Sequence, residues 1–356
     1  MGRDLVARGW AMRCGAVAAT AVLATTAMSM TVAAGSPRFS WTAENSSELL
    51  GWRSVAYGNG TFVAVADGVM TSPDGITWTS RTPTAEDATW AAVTYGNGQF
   101  VAVSAGSPTQ TIDHLVMTSP DGITWTAQTA VADHNPWDGI TYGNGTYVAV
   151  RSNAGTSTAM TSPDGITWTA HDLTMDNGAL SVTYGNGMFV ALGQNELATS
   201  PDGITWTVTN LVDFNGRSMT YGDGRFVGVS YSGLHQVITS PDGVTWTPDD
   251  AAEPNFWRSV TFGGGVFVAV ADSGAQQVMT SADGLIWASE SSAANYWTAI
   301  TFGNGRFAAV GLDAGTPQVM ISGPPAPVPP TTSTTTVTTP SVTPAPQVTV
   351  EPAFTG

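Results

Sequence analysis

The residues best suited to chemistry in this sequence are Arg53, Arg217 and Arg258. Each stands four residues before the aromatic of a recurring Tyr/Phe-Gly motif. Each also directly follows a position that carries Trp52, Trp90, Trp137, Trp257 and Trp297 in five repeats and Ala179 and Gly216 in two others. A guanidinium fork matches a carboxylate in geometry and charge. Three arginines in one register therefore predict a site for a carboxylate or another anion, in a chain with eleven Lys+Arg and a formal net charge of −16. The competing reading pairs them with acidic loop residues such as Asp249, Asp250 and Glu253. Tryptophan suits sugar stacking and protein interfaces, whereas a position occupied in most repeats also reads as a cap on the core. These five tryptophans and three arginines form the candidate ligand-binding set.

No residue reads as catalytic, and no cofactor is implied. The four histidines, His114, His134, His171 and His235, fall in variable loops, and Asp113, Asp133 and Asp172 adjoin the first three. They lack the short spacing that gathers metal ligands, so no metal site is predicted. Cys14 is the only cysteine and lies in the N-terminal segment, which excludes thiol catalysis and Cys-based zinc in the mature chain.

The composition narrows the function further. A strongly acidic chain with pI about 4.3 repels nucleic acid and anionic membrane surfaces, because both require a basic patch. Residues 1–34 read as an export signal. Arg3, Arg8 and Arg13 precede an apolar run from Gly15 to Ala34 that ends in small residues; an uncleaved anchor is the alternative. Residues 324–356 are dominated by Pro, Thr, Val and Ala and read as an extended, disordered tail. The expected product is a secreted monomer, free of the membrane after cleavage, with the tail offering a route to cell-wall association.

Between these ends the chain repeats itself. A Tyr/Phe-Gly-x-Gly motif begins at Tyr57, Tyr95, Tyr142, Tyr184, Tyr221, Phe262 and Phe302, in steps of 38, 47, 42, 37, 41 and 40 residues. That period suits one four-stranded propeller blade. In the first repeat Arg53 to Tyr57 reads as strand a and Thr61 to Val65 as strand b. Val69 to Thr71 is strand c and Ile76 to Thr79 strand d. Asn59-Gly60 makes a tight hairpin turn, and Ser72-Pro73-Asp74-Gly75 makes the next. Small residues flank an apolar one in strand a, as close approach near an axis demands. The Ser-Pro-Asp-Gly turn has six copies, the last written Ser281-Ala282-Asp283-Gly284, one fewer than the Tyr/Phe-Gly motif. The seventh repeat breaks off at Gly323-Pro324, while Ser40-Trp41-Thr42-Ala43 resembles a strand d without a strand c. The expected fold over residues 35–323 is therefore all-β: a seven-bladed β-propeller of four-stranded antiparallel blades, with the N-terminal strand completing blade 7.

The string Thr71-Ser72-Pro73-Asp74-Gly75-Ile76-Thr77-Trp78 resembles the Asp-box, or BNR, repeat, shortened by one residue. The resemblance spans about Phe39 to Ser322. It extends to bacterial propellers related to sialidases and photosystem II assembly factors. It implies that the box is a turn remote from any active site, so Asp74, Asp121, Asp164, Asp202, Asp242 and Asp283 are not expected to be catalytic. It would also imply a sialidase arginine triad and a Tyr–Glu pair. Only Pro37-Arg38-Phe39 faintly matches the arginine motif, and no Tyr–Glu pair can be assembled.

Because antiparallel strands alternate, the b–c and d–a loops share the face on which sequence varies most, the usual place for binding. The leading expectation is an exported, non-catalytic binding propeller that recognises a protein or glycan ligand on that face. The alternatives are a sialidase-like glycoside hydrolase and a structural wall or matrix component.

Overall fold

The computed structural model describes residues 39–84, 88–106, 115–131, 136–152, 158–312 and 317–323. All described residues lie within Gly35–Gly356. The expected signal segment with Cys14, the tail, His114, His134 and Asp113 and Asp133 lie outside the described residues. Every described element is a β-strand, and neighbouring strands within each sheet pair antiparallel.

The expectation of seven blades is corrected: the strands form six sheets, five of four strands and one of six. Repeats 4 and 5 share the larger sheet. Strands b and c of repeat 4 run together as Met188–Ser200, and strand d of repeat 4 continues into strand a of repeat 5 as Thr207–Gly222. The physical reason is a glycine. Gly216 occupies the position that carries Trp in five repeats and Ala179 in repeat 4, and a Cβ there would lie 2.7 Å from Gly193 O. With no side chain between them the backbones approach, and Gln194 pairs with Asn215 across what would otherwise be a gap between blades. Phe214, 2% exposed, fills the core space in place of the missing indole.

At the other end of the chain, Trp41–Glu44 pairs antiparallel with Val319–Ser322, so the N-terminal strand joins the sheet of the last repeat. Phe39, Trp41 and Phe307 cluster beneath this joint, with ring centroids 5.3–6.4 Å apart.

Strands a line the axis, each touching strand a of its neighbours, and the last touches the first. Their small residues have two uses. The Oγ of Ser54, Ser181, Ser218 and Ser259 accepts a backbone N–H from the next repeat, from Val93, Met219, Val260 and Ile300 at 3.2–3.3 Å. The glycine after each Tyr or Phe carries the second contact: a Cβ on Gly58 would lie 2.0 Å from the Tyr95 ring, and one on Gly303 would lie 2.1 Å from Tyr57. The same ring-on-glycine contact recurs from Gly96 to Tyr142 and onward to Gly263 and Phe302, so it closes on itself. The following Asn59 and Gly60 have φ of 47° and 76°, the left-handed pair that a two-residue hairpin needs.

The Ser-Pro-Asp-Gly turn is a self-contained hydrogen-bonding unit. Asp74 Oδ1 accepts the N–H groups of Ile76 and Thr77 at 2.9 Å and the Ser72 hydroxyl at 3.0 Å. Ser72 Oγ accepts from Gly75 N–H, and Trp78 Nε1 donates to Gly75 O. These bonds hold the Asp74 carboxyl below the usual range, with the Thr77 N–H as the largest cause. The other five boxes repeat the pattern, and Asp242 is lowered to about 2, chiefly by the Thr245 N–H.

Candidate anion-binding site

The three arginines converge. Arg53, Arg217 and Arg258 line one cavity of about 260 Å³, with Asp138, Thr298 and Leu312 completing much of its wall. The convergence follows from the register: Arg53 and Asp138 immediately precede strand a, Arg258 and Thr298 are the second residues of theirs, and Arg217 holds the equivalent position within Thr207–Gly222, on the face of the b–c and d–a loops. Asp138 follows Trp137 as Arg53 follows Trp52, so the same register could have revealed it.

The arginines differ in their surroundings. Arg258 Nε donates to Asp272 Oδ2 at 2.5 Å, and the Asp272 side chain is only 9% exposed. Among the described residues, neither Arg53 nor Arg217 forms an ion pair. Arg53 is exposed and Arg217 half-buried. Burial pushes Arg217 below its ordinary pKa, and the Arg258 charge adds to this, while Asp138, Tyr231 and Asp272 oppose it. Asp138 moves the other way. Burial raises its carboxyl, although Ser152 donates its N–H at 2.7 Å and its hydroxyl at 2.9 Å to Oδ2, and Arg217 lies near. The cavity wall thus carries three cationic groups, one of them paired with Asp272, and one carboxyl, Asp138, that burial raises.

The acidic partners expected for the arginines are engaged elsewhere. Asp250 Oδ1 meets His235 Nδ1 at 2.9 Å and Asp249 Oδ1 accepts the Asp250 N–H at 3.0 Å, while the backbone carbonyl of Glu253 accepts from Trp257 Nε1 at 3.1 Å and its carboxylate pairs with none of the three arginines. His171 contacts Thr161 Oγ1. Among the described residues, no group of three or more His, Cys, Asp or Glu is placed to hold a metal.

The five tryptophans sit beneath the site, not on it. Trp52, Trp90, Trp137, Trp257 and Trp297 are each 0% exposed and belong to the clusters between neighbouring sheets. Their indoles buttress the strands that carry the cavity residues. Arg151, which the sequence did not single out, is 4% exposed, with its guanidinium 5.0 Å from the Trp137 ring centroid.

Residues 119–256, well under half of the chain, match the model of the DUF6242 beta propeller domain. The domain is a β-propeller. A search of curated proteins gave no match. Among solved structures, virginiamycin B lyase from Staphylococcus aureus is 12% identical with a TM-score of 0.68, covering 80% of this chain and 98% of that one. A streptogramin B lyase is 13% identical at the same TM-score and coverage. YCF48 from Cyanidioschyzon merolae is 15% identical with a TM-score of 0.56, covering 81% of this chain and 99% of that one. At these identities the likeness is one of fold.

Proposed function

We propose that this chain is an exported binding propeller that recognises an acidic group of its ligand in the arginine-lined axial cavity. The observation that carries the reading is the convergence of Arg53, Arg217 and Arg258 from three repeats on one cavity, two of them without an ion pair among the described residues. A desolvated guanidinium gains most from an incoming carboxylate, because little water remains to screen the pair. The wider surface is acidic, which disfavours general polyanion binding and leaves the cavity as the favourable place. We further infer that the Ser-Pro-Asp-Gly turns are shortened Asp-boxes of a BNR-like propeller; their bonds are spent within the turn, which supports a structural role.

Calorimetric titration of the purified protein with carboxylate ligands tests the reading. The Arg53→Ala/Arg217→Ala variant is expected to lose binding by at least about tenfold, or roughly 1.4 kcal/mol, while a variant on the opposite face, such as Asn59→Gly, retains it. Equal affinity in all three proteins removes the site. A glycosidase reading is favoured by one observation: burial raises the carboxyl of Asp138 on the cavity wall, while Asp272 is ion-paired with the cavity residue Arg258, and glycoside hydrolysis uses two carboxyl groups in different environments. Hydrolysis of an acidic oligosaccharide that disappears in Asp138→Asn would establish it.

A further inference from the structure

With the predicted tryptophans buried, two other rings on this face meet solvent. Phe256 is 52% exposed and Tyr296 is 56% exposed. Each directly precedes a buried tryptophan, Trp257 or Trp297, and stands two residues before a cavity residue, Arg258 or Thr298. At the same position the other five repeats carry Gly51, Thr89, Pro136, Gly178 and Asn215. The rings therefore occur only in repeats 6 and 7, which are neighbours on the ring and flank the arginine cavity.

Their loops are held by a belt of hydrogen bonds. Gln236 Nε2 donates to Asn255 O at 2.6 Å, Gln236 Oε1 accepts Asn255 N–H at 3.1 Å, and Asn255 Nδ2 donates to Gln276 O at 2.5 Å. One repeat on, Gln277 grips Asn295 in the same two ways at 2.7 and 3.0 Å, and Asn295 Nδ2 donates to Pro317 O at 2.8 Å. Gln318 continues the belt to Leu50 O at 2.6 Å. The ring residues are tied as well: Phe256 O accepts from Asp272 N–H, and Tyr296 O accepts from the N–H of Leu312, a wall of the cavity.

A single exposed apolar side chain is ordinary. Two rings held on neighbouring repeats beside a cationic cavity are a prepared surface, because the ordering cost of contact has already been met in the free protein. The ring residues' own carbonyls are committed, so an extended peptide gains little by adding a strand here. A sugar ring requires neither: its C–H face lies on an aromatic ring while its hydroxyls stay hydrated.

We propose that Phe256 and Tyr296 form a stacking platform for an acidic polysaccharide, holding the sugar units that adjoin the one whose carboxylate enters the arginine cavity. The proposal rests on the anion-binding reading above. Calorimetry with galacturonate, trigalacturonate and a hexaglutamate peptide tests it on the full protein. Trigalacturonate should bind about tenfold tighter than galacturonate, the worth of roughly one stacked ring. Phe256→Ala/Tyr296→Ala should remove that advantage, leave galacturonate binding and the melting temperature unchanged, and be rescued in part by Tyr296→Trp with Phe256 restored. Arg217→Gln should weaken both uronates. Equal binding of monomer and trimer, or a trimer advantage that survives loss of both rings, overturns the platform while the arginine site stands. Tighter binding of hexaglutamate than of trigalacturonate overturns the glycan assignment. Binding of none of the three probes overturns the anion reading and the platform with it.

Discussion

At the residue scale, the arginines are not interchangeable. Arg258 neutralises a carboxylate that is almost wholly buried, so Arg258→Ala would leave the charge of Asp272 without its partner. Because Arg258 itself is 33% exposed, the cost belongs below the range for fully buried pairs, at about 2 kcal/mol. Urea denaturation should show that loss, and adding Asp272→Asn should recover most of it. Among the described residues Arg53 and Arg217 form no ion pair within contact distance, and Arg217 acts on Asp138 only at longer range, so they can be replaced with less damage and report on binding. Asp138 predicts a pH dependence. Burial raises its carboxyl above the ordinary carboxylate value in the folded protein, so as pH falls it takes up its proton in a window that begins above that value. Anion affinity should therefore increase as pH falls over that window, measured by titration at several pH values. Asp138→Asn should flatten the profile.

At the scale of the element, each turn has its own physical requirement. Gly58 and Gly60 lie two residues apart, yet their substitutions should differ in kind. A Cβ on Gly58 would enter the Tyr95 ring, whereas one on Gly60 meets nothing within 4 Å and suffers only from φ of 76°. Gly58→Ala should cost about 3 kcal/mol or more through overpacking, and Gly60→Ala about 1 kcal/mol through backbone strain; thermal denaturation will rank them. The acidic turns give a third case. Asp74 accepts two backbone N–H groups and a hydroxyl in a largely solvated turn, so Asp74→Ala should cost about 1 kcal/mol and leave ligand binding intact.

For the whole molecule, closure and acid stability are the quantities to test. Strand Trp41–Glu44 covers the edge of Val319–Ser322. Deleting Phe39 to Thr42 exposes that edge and should lower the melting temperature or cause aggregation, because an unpaired strand is a template for pairing. Light scattering during a thermal scan distinguishes the two. The six box aspartates all have carboxyls lowered from 3.8 in the folded state. Their contribution is present above the unfolded value and is lost as pH falls through the folded values. The fold should therefore weaken between about pH 4 and the value of about 2 reached at Asp242, seen by circular dichroism.

The sequence by itself determined the local structure and its repetition. The Asn-Gly turns, the Ser-Pro-Asp-Gly turns and the β-branched strands are set by short-range sterics and hydrogen bonds, so they are legible in any one repeat. The lone Trp41 strand and the truncated seventh repeat were legible because each lacked a partner that every other repeat has. The common register of the arginines was legible too, since a repeat converts spacing into position. Only the tertiary structure decided which way side chains turn at that register. Trp257 and Phe256 are adjacent, yet one is wholly buried and the other half exposed, because neighbouring residues of an extended chain point to opposite sides and sequence does not say which side the next sheet covers. It also decided the sheet count. Gly216 reads as one missing indole, but the approach of Gly193 that this permits joins two repeats through backbone pairs. The belt through Gln236, Asn255, Gln277, Asn295 and Gln318 links residues 18 to 268 positions apart; packing of adjacent repeats brings most of them together, and closure of the ring brings Gln318 to Leu50.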